Sequence, residues 1–415
     1  MPELRQIATN VFKAAVDRAD PEQAVRRALT THPLPDMQAG RCFVLAIGKA
    51  AVPMMRTALD QIPEVHRALV VTNPENLCDL DGAKVMAGSH PVPDEASAEA
   101  GRAVLNLLAE TKSGDRVVAL ISGGGSALMV APAPGLTLAD KAKVNALLLA
   151  SGLEINDMNL IRQQLSDSKG GGLLRHAAPA EVFSYLLSDV IGDDLRAIAS
   201  GPTVAPIGTR AQAVEMLRSV NLWDVIPEVV RKHLATGQDT AENLPAAQNH
   251  LIGSNRHSLQ AMLDAVPEGF DARIVSDALV GDVHAAAEEI LQAAEATQGP
   301  VALIFGGETT VQLKGSGRGG RNQELALLVA QGAAGRLPPN WVFLSGGTDG
   351  RDGPTDAAGG LVDSDTLGRI SAAGGDFAAL LGNNDSYAAL DLAGDLLVTG
   401  GTGTNVADVQ IFLRS

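Results

Sequence analysis

The feature that most constrains this chain is a recurring unit: a short run rich in Val, Ile and Leu that ends in glycine or a small polar residue and passes into a helix-like pattern. It occurs in "CFVLAIGKA", "RALVVTN", "DRVVALISGGGS", "VFSYLLSDV", "NHLIGSN", "ARIVSD", "VALIFGGE", "WVFLSGGTDG" and "DLLVTGGTGTN". Runs this uniformly apolar have no face to turn to water, so they must be covered on both sides, as the strands of parallel sheets are. Their alternation with helices defines an α/β chain. In open α/β sheets ligands bind outside the carboxyl ends of the strands, so the loops closing these runs are where chemistry is to be sought.

At 415 residues the chain exceeds what one hydrophobic core covers. Two α/β domains with mostly parallel sheets are therefore expected. The polar stretch "VRKHLATGQDTAENLPAAQ" (230–248), with Gly237 and Pro245, is the expected boundary, dividing 1–238 from 239–415. Against 48 Asp+Glu stand 32 Lys+Arg, a net charge of -16, which repels nucleic acid and anionic lipid surfaces. An aromatic content of 3% also disfavours base stacking. Any anionic substrate must then be held by local cations and backbone N–H groups, which directs attention to basic residues in glycine-rich loops. Cys42 and Cys78 suggest free thiols rather than a disulfide framework. The N-terminus has an acidic amphipathic helix pattern without signal-peptide features, so a cytoplasmic protein without membrane spans is expected.

"GSGRGGRNQEL" (315–325) contains a literal G-x-G-x-x-G at Gly315, Gly317 and Gly320. A dinucleotide fingerprint requires a buried strand just before the glycines and an acid about 20 positions on. Here the preceding "TTVQLKG" alternates and is polar, and "VALIFGGETTVQLKG" suggests two strands turning at Gly306 and Gly307. The position where the acid belongs is Asn340. The dinucleotide reading therefore loses to a phosphate role for Arg321, which stands at a helix start where free N–H groups favour an anion and a forked cation suits phosphate. In "ISGGGSALM" the residues Ser122, Gly123, Gly124, Gly125 and Ser126 lie between strand and helix, where successive N–H groups can form an anion nest or simply a tight turn. No Walker A match exists, since Phe43 and Ala50 occupy its required positions around Gly48-Lys49. Lys49 is either a solvated loop lysine or a point charge aimed into the strand-end crevice. Asp189, Asp193 and Asp194, Glu308, and Asp349, Asp352 and Asp356 form acidic groups, each as suited to caps and turns as to Mg²⁺. His90, before Pro91, suits a structural turn.

Taken together, "AIGKA", "SGGGSA", "LSDVIGDD", "ASGPT", "GGETTVQLKGSGRGGRNQELAL", "GTDGRDGPTDAAG", "NDSY" and "TGGTGTNVAD" resemble the glycerate 2-kinase family with a MOFRL C-terminal domain, often mislabelled hydroxypyruvate reductase. The resemblance spans nearly the whole chain. It implies a Rossmann-like N-terminal domain and a MOFRL-containing C-terminal domain flanking a cleft, with Mg-ATP phosphorylating the 2-hydroxyl of D-glycerate. The family's catalytic lysine and arginine correspond to Lys49 and Arg321, and Asp189 is the first choice for orienting the 2-hydroxyl or holding Mg²⁺, with Glu308 and Asp349 behind it. Phosphates are assigned to Ser122–Ser126 and to Gly315, Gly317, Gly319 and Gly320; substrate contacts are assigned to His90, Arg162, Lys169 and Asn322. Expected partners are D-glycerate and ATP, with neither nucleic acid nor membrane, and a homodimer is the candidate assembly. Departures from the family pattern are Gly401 in place of proline, Gly346 in place of alanine, and Gln163 and Gln164 in place of basic residues. The competing readings are an NAD(P)H-dependent hydroxypyruvate reductase, resting on the glycine match alone, and a catalytically silent sugar-acid binder, which leaves two strand-end cations without a task.

Overall fold

The computed structural model describes residues 2–37, 39–236 and 244–415. It contains two compact α/β units, each built on a six-stranded sheet. The first unit comprises Ala24–Leu187 and Asp193–Ile252, and the second comprises Met1–Gln23, Ser188–Gly192 and Gly253–Ser415. The boundary expected between 238 and 239 lies outside the described residues. The chain enters the second unit first, makes the first unit, and returns.

The first sheet is formed by β1 (Cys42–Ile47), β2 (Val65–Thr72), β3 (Lys84–Ala87), β4 (Arg116–Ile121), β5 (Glu181–Leu187) and β6 (Ala247–Gly253), in the order β3-β2-β1-β4-β5-β6. The pairings of β1 with β2 and β4, of β2 with β3, and of β4 with β5 are all parallel. Every residue of β1 and β4 is buried, as their unbroken apolar runs require. Phe43, Leu45 and Ile47 share one core with Val104, Leu107 and Leu108. A separate cluster around Leu148, Ile161, Leu217 and Val230 joins four helices of the same unit.

The second sheet holds β7 (Asp271–Asp282), β8 (Val301–Thr310), β9 (Trp341–Gly347), β10 (Gly359–Asp363), β11 (Leu396–Leu397) and β12 (Asp408–Arg414), in the order β11-β10-β9-β12-β8-β7. β7, β8, β9 and β11 run one way. β12 is inserted between β8 and β9 and opposes both, and β10 opposes β9 and β11. The sequence reading did not single out β10 or β12 as strands. The supposed turn at Gly306-Gly307 is not a hairpin: β8 runs straight through both residues. The glycines serve close approach instead, since a Cβ on Gly306 would fall 2.1 Å from Asn255 Oδ1 and one on Gly307 would fall 2.2 Å from the Leu279 carbonyl.

Side chains alternate across this sheet. Leu303, Phe305, Phe343 and Phe412 face the helices Val283–Glu295 and Arg321–Ala333, while Ile304, Leu344 and Ile411 face the other layer. That other layer includes the N-terminal helix Pro2–Arg18, whose Leu4, Ala8, Val11, Phe12 and Ala15 recur at helical spacing and are buried. An apolar stripe of this kind needs a sheet face, and the chain's first segment finds it in the second unit. Arg5 fastens the helix by ion pairs to the buried Asp363 and Asp395, at 2.6 and 2.9 Å.

Gly346 lies under this helix. A Cβ there would come within 2.8 Å of Phe12 Cε2 and 2.9 Å of Leu397 Cδ2, which accounts for glycine at a position where the family pattern has alanine. At Gly401 a Cβ would meet nothing within 4 Å, and the structure gives no reason for the lost proline. Gly346→Ala is expected to destabilise the protein by about 1–3 kcal/mol through overpacking, and adding Phe12→Leu should recover part of the loss. Chemical denaturation of the single and double variants checks this; a Gly346→Ala protein as stable as the parent would contradict the contact.

Candidate functional site

In the first unit, the parallel pairing of Ile47 with Ile121 brings the ends of β1 and β4 side by side. Gly48 and Ser122 follow directly, so close together that a Cβ on Gly48 would meet Ser122 Oγ at 2.2 Å. Two bonds lock the loops: Lys49 N–H donates to the Gly123 carbonyl at 2.9 Å and Ala50 N–H to Ser122 Oγ at 3.1 Å. The Lys49 side chain then runs over Gly124, whose missing Cβ would lie 3.2 Å from Lys49 Cγ and 3.4 Å from His90 Cδ2. Gly124 has φ +82°, a conformation that glycine adopts without steric cost. Lys49, His90 and the Ser122–Ser126 loop are thus neighbours. His90 is exposed; partial desolvation and the nearby Lys49 charge lower its imidazole below the usual range. The N–H groups of Gly123, Gly124 and Gly125 make no hydrogen bond among the described residues. Together with the lysine they offer what an anion requires.

Ser126 extends this site. Its hydroxyl accepts from Lys169 Nζ at 2.6 Å and lies 3.0 Å from Ser200 Oγ. Lys169 is 7% exposed, and burial first, then the charge of Arg162, pushes its ammonium down to about 7. Ala199 and Ser200 both have positive φ, 48° and 62°. Such strain, of order 1–3 kcal/mol per residue, tends to persist where function holds it. Gln163 and Gln164 brace this region. Gln163 bonds the carbonyls of Arg196 and Ser200 and the N–H of Ile207, and Gln164 bonds the Gly208 carbonyl. In this chain these two positions hold loops rather than contribute charge.

In the second unit the geometry turns on Asp408, the first residue of β12, set opposite Gly307 of β8 and Gly347 of β9. Its side chain is 1% exposed and takes the Arg321 guanidinium in a fork, Nε at 2.6 Å and Nη2 at 3.0 Å. Nη1 lies 3.1 Å from Glu308 Oε1. Burial works against the arginine's charge, but these acids raise it above its ordinary value. Burial also pushes Glu308 upward; Arg321 opposes this, and Asp408, Asp189 and Asp349 add to it. Asp189, Asp349, Asp408 and Arg321 are therefore all within electrostatic reach of Glu308.

The glycine loop ahead of Arg321 is a correction to the sequence reading. The N–H groups of Lys314 and Gly315 go to Asn384 Oδ1, that of Ser316 to Asn383 Oδ1, that of Gly317 to the Asn383 carbonyl, and that of Arg318 to Asp385 Oδ1. Gly315 and Gly317 thus have no donors left for phosphate and serve contact instead, since a Cβ on either would collide with Asn383 or Asp385. Gly319 and Gly320 are equally tight, against Ser386 Oγ and the Asp352 carboxylate. The anion at the helix start is Asp352 itself, which accepts from Asn322 N–H at 3.2 Å and Gln323 N–H at 2.9 Å. Burial raises its carboxyl to about 6, against those same bonds. Asn322 is fully buried, accepts from Ser345 Oγ at 2.6 Å and reaches Asp352, so its amide supports the helix start. The residues that sequence reasoning missed are Asp408, whose only signal is an acid opening an apolar strand, and the Asn383–Asp385 turn, whose signal was the "NDSY" motif.

Residues 7–235 match the domain of unknown function DUF4147, and residues 301–408 match the MOFRL family. A D-glycerate 2-kinase from Thermotoga maritima is 37% identical, covering 99% of this chain and 98% of the relative. A putative hydroxypyruvate reductase from Agrobacterium vitis is 39% identical over 99% of this chain and 94% of its own length. The crystal structure of glycerate kinase from Thermotoga maritima superposes with a TM-score of 0.93 at 36% identity, covering both chains completely.

Lys169 supplies a pH test of this geometry. Between about 7 and 10.5 the unfolded chain binds a proton at this lysine and the native state does not, so stability attributable to it rises with pH across that window and is constant below it. The melting temperature of the ligand-free protein, relative to Lys169→Met, is expected to climb from pH 7 to about pH 9.5. Parallel profiles would show that the native lysine stays charged.

Proposed function

Because the chain belongs to the glycerate 2-kinase family built from DUF4147 and MOFRL domains, we propose that it transfers the γ-phosphoryl group of ATP to the 2-hydroxyl of D-glycerate, releasing ADP and 2-phosphoglycerate. The observation that carries this reading is the Lys49 side chain laid over a glycine loop whose N–H groups are unspent. Phosphoryl transfer asks a protein for positioning and charge neutralisation above all, and a point charge beside convergent N–H donors supplies both for a phosphate. Ser122–Ser126 is accordingly the proposed phosphate cradle, with His90, Arg162 and Lys169 as substrate contacts. The reductase reading loses its one support, because the N–H groups of Gly315 to Arg318 in the G-x-G-x-x-G loop are taken by the Asn383–Asp385 turn and the helix start is filled by Asp352.

Arg321 is proposed as the second catalytic cation, meeting charge that develops on the moving phosphoryl group. Asp408 is its positioning residue: the two-point contact fixes the plane of the guanidinium before substrate arrives. Asp189 is proposed to orient the acceptor hydroxyl. Asp189 and Asp349 both act on Glu308 and add to its upward shift, acidic surroundings that suit a divalent cation. Among the described residues no group of three His, Cys, Asp or Glu is set to hold a metal, an arrangement compatible with Mg²⁺ taken by one or two of these carboxylates together with phosphate oxygens. The ion would neutralise charge on those oxygens. No helix among the described residues is long and apolar enough to cross a membrane, and we place the reaction in the cytoplasm.

The test is direct: with D-glycerate, ATP and Mg²⁺ the protein should form ADP, phosphorus NMR should show 2-phosphoglycerate, and excess EDTA should stop turnover. NADH oxidation with hydroxypyruvate in place of ADP formation would select the reductase. Arg321→Ala is expected to lower kcat by about 10³-fold with little change in KM for ATP. Asp408→Asn should keep the fold but release the guanidinium, lowering kcat by about 10²-fold. Full activity in Asp408→Asn would show that Arg321 needs no such holder.

A further inference from the structure

Among the described residues, three basic side chains of the first unit have no acid to answer them. Lys141, on the helix Leu138–Ala150, donates its ammonium to the Leu165 carbonyl at 3.0 Å. Arg162, near the end of the helix Ile155–Gln164, reaches only Asn159 Oδ1 at 3.5 Å and the Met158 sulfur at 4.0 Å, and its Nε is buried without a partner. Lys169 donates to Ser126 Oγ. Among the described residues none of the three pairs with a carboxylate. Asp167, two residues before Lys169, is already taken by Arg175 at 3.3 Å and His176 at 3.0 Å.

Among the described residues, the charges shown to act on Lys141 all have its own sign. Arg162 and Lys169 act directly on it, and His233, itself beside Arg210, lies within its electrostatic reach from a neighbouring helix. Burial first, and then Lys169 and Arg162, hold the Lys141 ammonium well below the ordinary lysine range. Lys169 is buried and Lys141 and Arg162 are half-buried, and basic groups partly withdrawn from water without a counter-ion oppose folding unless something else gains from them. Bracing the Leu165 carbonyl does not require a charge, since a neutral amide would serve.

We propose that Lys141, Arg162 and Lys169, together with the Ser126 and Ser200 hydroxyls, form an oxyanion subsite in which Lys141 is a binding residue. This deepens the kinase reading, on which it rests for the identity of the anion: the carboxylate of the three-carbon acceptor or a phosphate of the donor, which share the same chemistry. In the ligand-free protein above pH 7 Lys169 is largely neutral, and Lys141 is held below its usual range as well. An arriving anion shifts both back toward their ordinary range, which draws protons from solution. Binding at pH 8 is thereby coupled to proton uptake, and less so at pH 6, where Lys169 is already protonated.

The experiment pairs steady-state kinetics with calorimetric titration of D-glycerate, and separately of inorganic phosphate, in buffers of different ionisation heat. Lys141→Gln keeps a donor for Leu165 and loses the charge; it should raise KM for the anion held there about tenfold, leave kcat nearly unchanged, and reduce the protons taken up per ligand at pH 8. Lys141→Arg, permanently charged, should restore KM but not the proton uptake. A higher KM for D-glycerate assigns the subsite to the carboxylate, and a higher KM for ATP alone assigns it to phosphate. Unchanged KM values and unchanged proton uptake in Lys141→Gln would overturn the subsite while leaving intact the kinase reading established by the wild-type assay. A wild-type protein that forms no ADP would instead refute the kinase reading, and Lys141-dependent proton uptake on phosphate binding would then still support the subsite.

Discussion

The second unit is organised around one buried charge. Asp408 is 1% exposed, and a carboxylate so placed is tolerated only when paired and hydrogen-bonded. Arg321 supplies both bonds in one planar fork, and much else follows. The first residue of β12 must lie where the first residue of the helix Arg321–Ala333 can reach it, which sets that helix against the ends of β8 and β9. Removing Arg321 would strand the Asp408 carboxylate out of water, whereas removing Asp408 leaves the guanidinium, 34% exposed, still paired with Glu308. The same fork that satisfies Asp408 holds the guanidinium at a fixed attitude beside Glu308, so one contact meets a structural necessity and orients the cation proposed for catalysis.

The two glycine-rich loops show how little glycine content alone says about phosphate. In Gly123–Gly125 the absence of side chains lets Lys49 lie across the backbone and leaves N–H groups unspent. In Gly315–Gly320 the same absence lets Asn383, Asp385, Ser386 and Asp352 approach to distances that no Cβ would permit, and Asn383, Asn384 and Asp385 take the N–H groups of Gly315 to Arg318. The difference lies in what packs against the loop. An anion does stand at the start of the helix after the second loop, as the macrodipole favours, but it is the protein's own Asp352.

A chain of net charge -16 must bind polyanions through local exceptions to its own field. The exceptions are of two kinds. Arg321 is embedded among acids that position it, whereas Lys49, Lys141, Arg162 and Lys169 stand in no ion pair among the described residues. In the first unit the resulting mutual repulsion is relieved by an arriving anion, which gives the site a preference for ligands of that sign.

Much of this was legible in the residues themselves. Uniformly apolar runs such as "FVLAI" and "VVALI" admit no half-exposed strand, so the α/β class and the location of ligand loops at strand ends follow from periodicity and burial alone. Lys49 and Arg321 stood out as cations beside glycine-rich loops, and it was the family resemblance that gave them a catalytic task. What periodicity does not carry is partnership across long sequence separations. That the helix Pro2–Arg18 serves the sheet of the second unit, that β12 enters between β8 and β9 against their direction, that β8 passes through Gly306-Gly307, and that Asn383–Asp385 occupies the loop at 315–318 are all decided by which distant surfaces meet. A sequence window sees the donors and acceptors of its own segment; whether a given N–H is free for a ligand depends on an acceptor 70 residues away, and only the folded chain brings that acceptor into place.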